Sequence, residues 1–206
     1  MSEEAPGVVS VHRRDQAEAL IATGAVLERH AHQMRLRLPV PAPPTAPDIA
    51  AEFRPFTPDA EPPVPWADVL PAFLTAYPPG HPDHLEGGET LVDQYLVPYT
   101  RGARLGPLLC SASAIAVRAG RAYGGILVVD RPGEGPWVCD VWRDPDPRYA
   151  GTGTALVRWA AQRLKGWDSL GLVVTVGNEA ALRSYQRAGF AIETTAWRLR
   201  LPGGTA

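Results

Sequence analysis

The 206-residue sequence predicts an α+β fold, a mixed sheet flanked by helices. Three observations carry that prediction. Strand-like and helix-like runs succeed each other in the order strand, two helices, three strands, helix, strand, helix, strand. The run Arg148-Tyr149-Ala150-Gly151-Thr152-Gly153 places an Arg-x-x-Gly-x-Gly pattern between a strand-like segment and a helix-like one. Downstream, a valine-rich run over 170–176 is followed by Asn178, Ala181, Leu182, Tyr185 and the pair Gly189-Phe190.

Each element has its own local reason. Phe53-Arg54-Pro55-Phe56 reads as a first strand. Residues 65–77 read as a short helix, because Trp66, Val69, Leu70, Phe73, Leu74 and Tyr77 form one wide apolar face. Residues 89–100 suggest a second helix, broken near Pro98. Residues 112–118 and 122–130 form a hairpin turning at Ala119-Gly120-Arg121. Arg131-Pro132-Gly133-Glu134-Gly135 then turns the chain into a strand over 136–142, which Asp144-Pro145-Asp146-Pro147 cuts off. Ala155, Leu156, Trp159, Ala160 and Leu164 recur at spacings of three and four, one face of a helix to about Lys165. After the valine run, a helix begins near Glu179, is stopped by Gly189, and leads to a last strand ending in Arg198-Leu199-Arg200-Leu201-Pro202.

Ahead of these, residues 39–47 hold five prolines in nine positions, which forbids a helix or an inner strand and predicts an extended connector. A shift of 165 positions aligns Val8-Val9-Ser10-Val11 with Val173-Val174-Thr175-Val176, Gly24 with Gly189 and Glu28 with Glu193. After a two-residue offset, 35–39 repeats 198–202. The expected organisation is a strand-helix-strand extension over 1–39, a linker over 40–50 and a single catalytic domain over 51–206. Leu20, Ile21, Val26, Leu27 and Leu36 are expected to bury the extension against that domain.

Composition narrows the function. A formal net charge of −2 supplies no basic field for a nucleic-acid backbone. No apolar run reaches the roughly 18–20 residues of a membrane span, and Met1-Ser2-Glu3-Glu4 is no secretory signal, so the cytoplasm is expected. Cys110 and Cys139 are too few for a disulfide framework or a structural zinc site, and both read as buried small hydrophobes. The oligomeric state stays open, a homodimer included.

The glycines of 148–153 fall at a helix start, where N–H groups lack intrahelical partners and the dipole favours negative charge, so a pyrophosphate can lie on bare backbone. A dinucleotide-binding turn would want a third glycine where Leu156 stands. Tyr185 also reads as a buried helix tyrosine, Asn178 as a helix cap and Gly189 as a helix stop. Taken together, the two runs resemble the GNAT superfamily of N-acetyltransferases, strongly over the last third of the chain and in general layout over 51–110.

The resemblance implies a mostly antiparallel sheet, splayed between its fourth and fifth strands (136–142 and 170–176). It implies acetyl-CoA as acyl donor and a primary amine as acceptor. Backbone of Val141, Trp142 and Arg143 would pair with the pantetheine arm; Arg143 stands where valine is usual. Tyr149, Ala150, Gly151, Thr152, Gly153 and Thr154 would cradle the pyrophosphate, with Arg148 at the leading edge. Asn178 would contact the cofactor amide or an ordered water, and Tyr185 would act as general acid on the departing thiolate. The glutamate some relatives place on the fifth strand is Val173 here, so the base stays open between Asp140 and a water relay. The loop Tyr77-Pro78-Pro79-Gly80-His81-Pro82-Asp83-His84-Leu85-Glu86 would face the acceptor; its side chains suit a cationic amine, a metal or plain solvation, and no metal is assigned. The repeat over residues 8–39 reads as a vestigial half of a second acetyltransferase-like unit, and with Val173 it supports a second reading, a non-catalytic acyl-CoA-binding or regulatory module on a degenerate tandem architecture.

Overall fold

A computed structural model describes residues 7–41 and 52–203. Along the chain run β1 (Val8–Val11), α1 (Arg14–Ala22), β2 (Val26–Arg37), β3 (Phe53–Pro55), α2 (Trp66–Ala76), α3 (Val97–Thr100), β4 (Ala114–Arg118), β5 (Arg121–Arg131), β6 (Gly135–Arg143), α4 (Thr152–Ala161), β7 (Ser169–Thr175), α5 (Glu179–Ala188) and β8 (Ala191–Arg200). The eight strands form one mixed sheet in the order β1-β8-β2-β7-β6-β5-β4-β3. Every pairing is antiparallel except β6 with β7. The α+β class and the element order from residue 53 onward are as the sequence predicts.

The two faces of the sheet carry separate cores. On one, α4 and α5 cover Ile126, Val128, Val138, Leu170 and Leu172 with Leu156, Val157, Ala160 and Ala188. On the other, Val69, Leu70 and Phe73 of α2 and Leu91, Leu96 and Tyr99 downstream cover Ile115, Leu127, Val129, Trp137 and Trp142. Gly125 lacks a side chain for a physical reason: a Cβ there would collide with the Trp142 ring.

The parallel pair β6–β7 positions the site. Its register contains only Trp137↔Gly171 and Val138↔Leu172. Past Val138 the strands diverge, which is the predicted splay. The cause lies on the opposite edge of β6, where the register with β5 slips between Leu127↔Asp140 and Val128↔Val138 and leaves Cys139 as an extra residue. Such a bulge bends its strand and changes which face the following side chains meet. Trp137 and Trp142, five residues apart, therefore join the same core, which an unbroken strand of period two forbids.

Several elements differ from expectation in extent. The second helix is not broken at Pro98: a π-helical stretch, Val92–Leu96, runs directly into α3, and Pro98 falls in the first turn of α3, where a missing N–H is tolerated. The wide turn absorbs the proline by shifting the hydrogen-bond register ahead of it. Helix α4 stops at Ala161 rather than near Lys165, because Arg163 and Leu164 donate to Ala160 and Ala161 in tighter i→i−3 turns.

The N-terminal segment forms the predicted strand, helix and strand, and both strands enter the main sheet. β1 pairs with β8, and β2 lies between β7 and β8. The predicted set of buried residues needs correction. Leu36 is buried and Leu20 half-buried, but Ile21, Val26 and Leu27 are exposed. β2 begins at Val26, well ahead of the repeated run over 35–39, and its first residues pair with β8 only, because pairing with β7 starts at Ala31. Met34, fully buried, and Ala31 take the core positions instead. The proline-rich connector lies, from residue 42 to 51, outside the described residues.

Candidate active site

Divergence of β6 from β7 opens a cleft of about 530 Å³ between the two halves of the sheet. Residues from both sequence motifs line it: Cys139 to Arg143 on β6, Ala150 to Thr154 apart from Thr152 at the start of α4, and Asn178 and Tyr185 at α5. From the opposite side come Tyr77, His81, Asp83 and Tyr95.

The start of α4 leaves its first backbone donors open. Gly151 takes the N-cap position with φ of 85°, the left-handed region where a side chain would be strained. The backbone N–H groups of Gly151, Thr152, Gly153 and Thr154 donate to no acceptor among the described residues, whereas Ala155 N–H already bonds to the Gly151 carbonyl. A Cβ built on Gly151 or Gly153 meets nothing within 4 Å, so the space above these donors is open. The residues present therefore fit a pyrophosphate held by backbone.

The side chains of this turn do other work. Tyr149 is buried and stacks on Tyr123 at 4.3 Å between ring centroids. Thr152 Oγ1 donates to the Tyr149 carbonyl at 2.8 Å, fixing the turn from within. Arg148 turns back onto Asp146 at 2.7 Å rather than over the glycines. Arg143 donates to the Asp144 carbonyl at 2.8 Å and lines the cleft with Arg29, Arg183 and Arg187. Arg29 comes from the part of β2 that outruns β7, a contribution of the N-terminal segment that local sequence reasoning missed.

Across the cleft the chemistry changes sign. Asp140, 8% exposed, sits one residue past the bulge and accepts a hydrogen bond from the Tyr77 hydroxyl, with the Tyr95 hydroxyl nearby. Tyr77 also donates to the Val141 carbonyl at 3.3 Å. Burial pushes the Asp140 carboxyl up to about 6, the Asp83 charge adds to the rise, and the two tyrosine hydroxyls pull it back. Cys139, expected in the core, is a half-buried part of the cleft wall, exposed there by the bulge. Burial and the neighbouring Asp140 raise its thiol well above the usual range, which makes it a poor nucleophile.

Asn178 caps α5: its Oδ1 accepts from Ala181 N–H at 3.2 Å, and its Nδ2 donates to Asp83 Oδ2 at 3.0 Å. Asp83 Oδ1 accepts from Thr175 Oγ1 at 2.6 Å. One carboxylate therefore pins the loop over 77–86 to the end of β7 and the start of α5. His84 Nδ1 lies 2.7 Å from the Tyr77 carbonyl, which folds the loop on itself. Among the described residues no group of three or more His, Cys, Asp or Glu is arranged to hold a metal. No described helix is long and apolar enough to cross a membrane.

Tyr185 faces the cleft from α5, and its hydroxyl has no hydrogen-bond partner among the described residues. Burial, then the charges of Asp140 and Asp83, hold its proton more tightly than in a free tyrosine. The structure thus brings Tyr185, Asp140, the free edge of β6 and the α4 cradle to one cleft. It leaves the Arg148 side chain and the Tyr149 ring outside it.

Comparison with known proteins agrees with this geometry. The sequence model of the Acetyltransferase (GNAT) family matches residues 66–190, a span holding both cleft motifs. A GCN5-related N-acetyltransferase from Sphaerobacter thermophilus superposes with a TM-score of 0.62 at 19% identity, covering 98% of this chain and 63% of that one. A second, from Kribbella flavida, gives 0.54 at 17% identity over 96% and 68%. A tandem GNAT protein from the clavulanic acid biosynthesis pathway gives 0.54 at 14% identity over 93% and 62%. The chain thus spans about 63% of the first of these structures, and at such identities the likeness concerns the fold. No curated protein matches it. A family match over more than half the sequence places this chain in the GNAT acetyltransferase family.

Proposed function

We propose that the chain is an acetyl-CoA-dependent N-acetyltransferase that transfers the acetyl group directly to a primary amine. The observation that carries this reading is the pairing of four unpartnered N–H groups at the start of α4 with Asp140 and Tyr185 on one cleft. The α4 donors and the cleft arginines would hold the phosphates of the donor. The free edge of β6, residues 139–143, would align the pantetheine arm beside the splay.

The chemistry needs an amine that has lost a proton and a thiolate that gains one. Asp140, with its carboxyl near 6, is mostly ionised at neutral pH and is a base matched to that pH. It takes a proton from the ammonium form of the acceptor, and the free amine attacks the thioester carbonyl. The carbon–sulfur bond breaks, the Tyr185 hydroxyl gives its proton to the departing sulfur, and the second proton of the attacking nitrogen passes through water to the Tyr185 oxygen, which leaves a neutral amide and restores the phenol. That hydroxyl is available for the role because no described side chain binds it and a tyrosine is protonated at neutral pH. The raised Cys139 thiol supports a direct transfer without an acyl-enzyme.

The test is amine-dependent release of free thiol from acetyl-CoA across a panel of primary amines, with the acetylated product identified by mass. Turnover on at least one amine supports the reading. Tight CoA binding without any transfer would favour the non-catalytic acyl-CoA-binding alternative, to which Val173 in place of a glutamate lends some weight.

A further inference from the structure

Asp140 does not stand alone in the cleft wall. Tyr77, at the C-terminal cap of α2, donates its hydroxyl to Asp140 Oδ1 and lies 3.3 Å from the Val141 carbonyl. The Tyr95 hydroxyl, from the π-helical stretch, lies near both the same carboxylate and the Tyr99 hydroxyl and favours the charged form of the carboxylate. The two tyrosines belong to different elements, and each is braced by aromatic neighbours. Phe73 packs edge-on against Tyr77 at 5.1 Å and lies 5.9 Å from Tyr95. The His81 ring meets the other side of Tyr77 at 5.2 Å, and Tyr99 packs edge-on against Tyr95 at 5.3 Å. A hydroxyl held this way has little freedom to turn elsewhere, so the carboxylate it meets is held too.

We propose that Tyr77, with Tyr95 as a second support, is a positioning residue that keeps the Asp140 carboxylate ionised and aimed for proton uptake from the acceptor amine. This inference rests on the acyl-transfer reading. The physical basis is an imbalance at the bulge. Asp140 is buried without a cation among its described contacts, so desolvation works against its charge, and Asp83 adds like-charge repulsion from the loop. The Tyr77 O–H replaces part of the lost hydration, the Tyr95 hydroxyl and the Val141 N–H add to it, and all three act on the ionised form. Tyr185 on α5, Cys139 on β6 and Tyr99 on α3 also interact with it, and none of the three bears charge at neutral pH. The Arg104 guanidinium lies over the Tyr95 and Tyr99 rings at 5.1 Å and 5.3 Å and braces that pair from outside. Bulge, helix cap and π turn are three backbone irregularities, and together they deliver these three side chains to one point.

The test titrates the Asp140 carboxyl carbon by NMR in the full chain labelled at aspartate, the resonance being assigned by its loss in Asp140→Asn. Tyr77→Phe removes one donor and keeps the ring packing. The midpoint should rise by roughly one to two pH units, the equivalent of one hydrogen bond to a charged group. Tyr95→Phe should move it in the same direction, and it serves alone if the first variant does not fold. In the wild type and variants that transfer acetyl groups, the acidic limb of kcat/KM should move up in step, with KM for acetyl-CoA unchanged. A midpoint that stays put or falls in both variants overturns the positioning role even if the wild type is active. A wild type without transferase activity sinks the acyl-transfer reading instead, and the titration still decides whether the tyrosines hold the charge.

Discussion

Replacing Asp140 by asparagine should make the protein more stable at neutral pH while removing its proposed base. The folded state raises the Asp140 carboxyl from an ordinary 3.8 to about 6, chiefly through burial. A group whose folded value lies above its unfolded one favours folding most when protonated. Its contribution is complete below about pH 4 and is lost as the pH rises through 6. The difference is about two pH units, and at about 1.4 kcal/mol per unit it comes to roughly 3 kcal/mol of stability lost by pH 7.5. An asparagine side chain at this position would keep an oxygen to accept from Tyr77 without carrying a charge. Asp140→Asn should therefore melt about 6–12 °C above wild type at pH 7.5, given about 2–4 °C per kcal/mol for a chain of this size. The gain should shrink to near zero at pH 4. Urea or thermal denaturation of both proteins at the two pH values measures it. A variant that differs from wild type by the same amount at pH 4 and 7.5, in either direction, would refute the reasoning, since the ionised carboxylate would then cost the fold nothing.

Tyr185→Phe should melt like wild type, because its hydroxyl has no described hydrogen bond to lose, while turnover falls by about 10²-fold if it is the general acid; an unchanged rate across the pH range would make it a packing residue. Gly153→Val should weaken CoA binding with little effect on the fold, because its Cβ position faces open space at an ordinary helical φ. Gly151→Val should lose affinity and also melt lower, because it adds roughly 1–2 kcal/mol of left-handed strain; equal calorimetric affinity in both variants would remove the cradle from α4. Deleting residues 1–46 should cause aggregation or a large fall in melting temperature. It withdraws β2 from between β7 and β8 and unburies Met34 and Leu36, together roughly 3–6 kcal/mol. A truncated chain that stays soluble and melts unchanged would show that the inserted strand is dispensable.

What was legible in the sequence was whatever local chemistry dictates. Gly151 and Gly153 announce a helix start, because only glycine holds φ of 85° freely at the cap and leaves donors uncovered. The turn at Ala119-Gly120 and the stop at Gly189 follow from the same freedom. The bulge at Cys139 was not legible, since it depends on pairing with β5, although a glycine pair at 124–125 opposite a tryptophan is a faint signal of crowding there. The roles of the Tyr77 and Tyr95 hydroxyls at Asp140 were not legible for a different reason. Both residues lie in apolar helical patterns, where a tyrosine ring satisfies the periodicity and its hydroxyl leaves no trace. Asp83 read as one charge in an acidic loop, whereas in the fold both its oxygens are committed to Thr175 and Asn178. The placement of β2 between β7 and β8 joins residues more than 130 positions apart, beyond any local pattern.

The most direct test of the central claim is a crystal structure of the protein soaked with CoA. The account predicts pyrophosphate oxygens within about 3 Å of the N–H groups of Gly151, Thr152, Gly153 and Thr154, and the pantetheine arm running along residues 139–143 with its sulfur between Asp140 and Tyr185. CoA bound elsewhere on the molecule, or a β6–β7 cleft that stays closed to it at saturating concentration, would contradict the account.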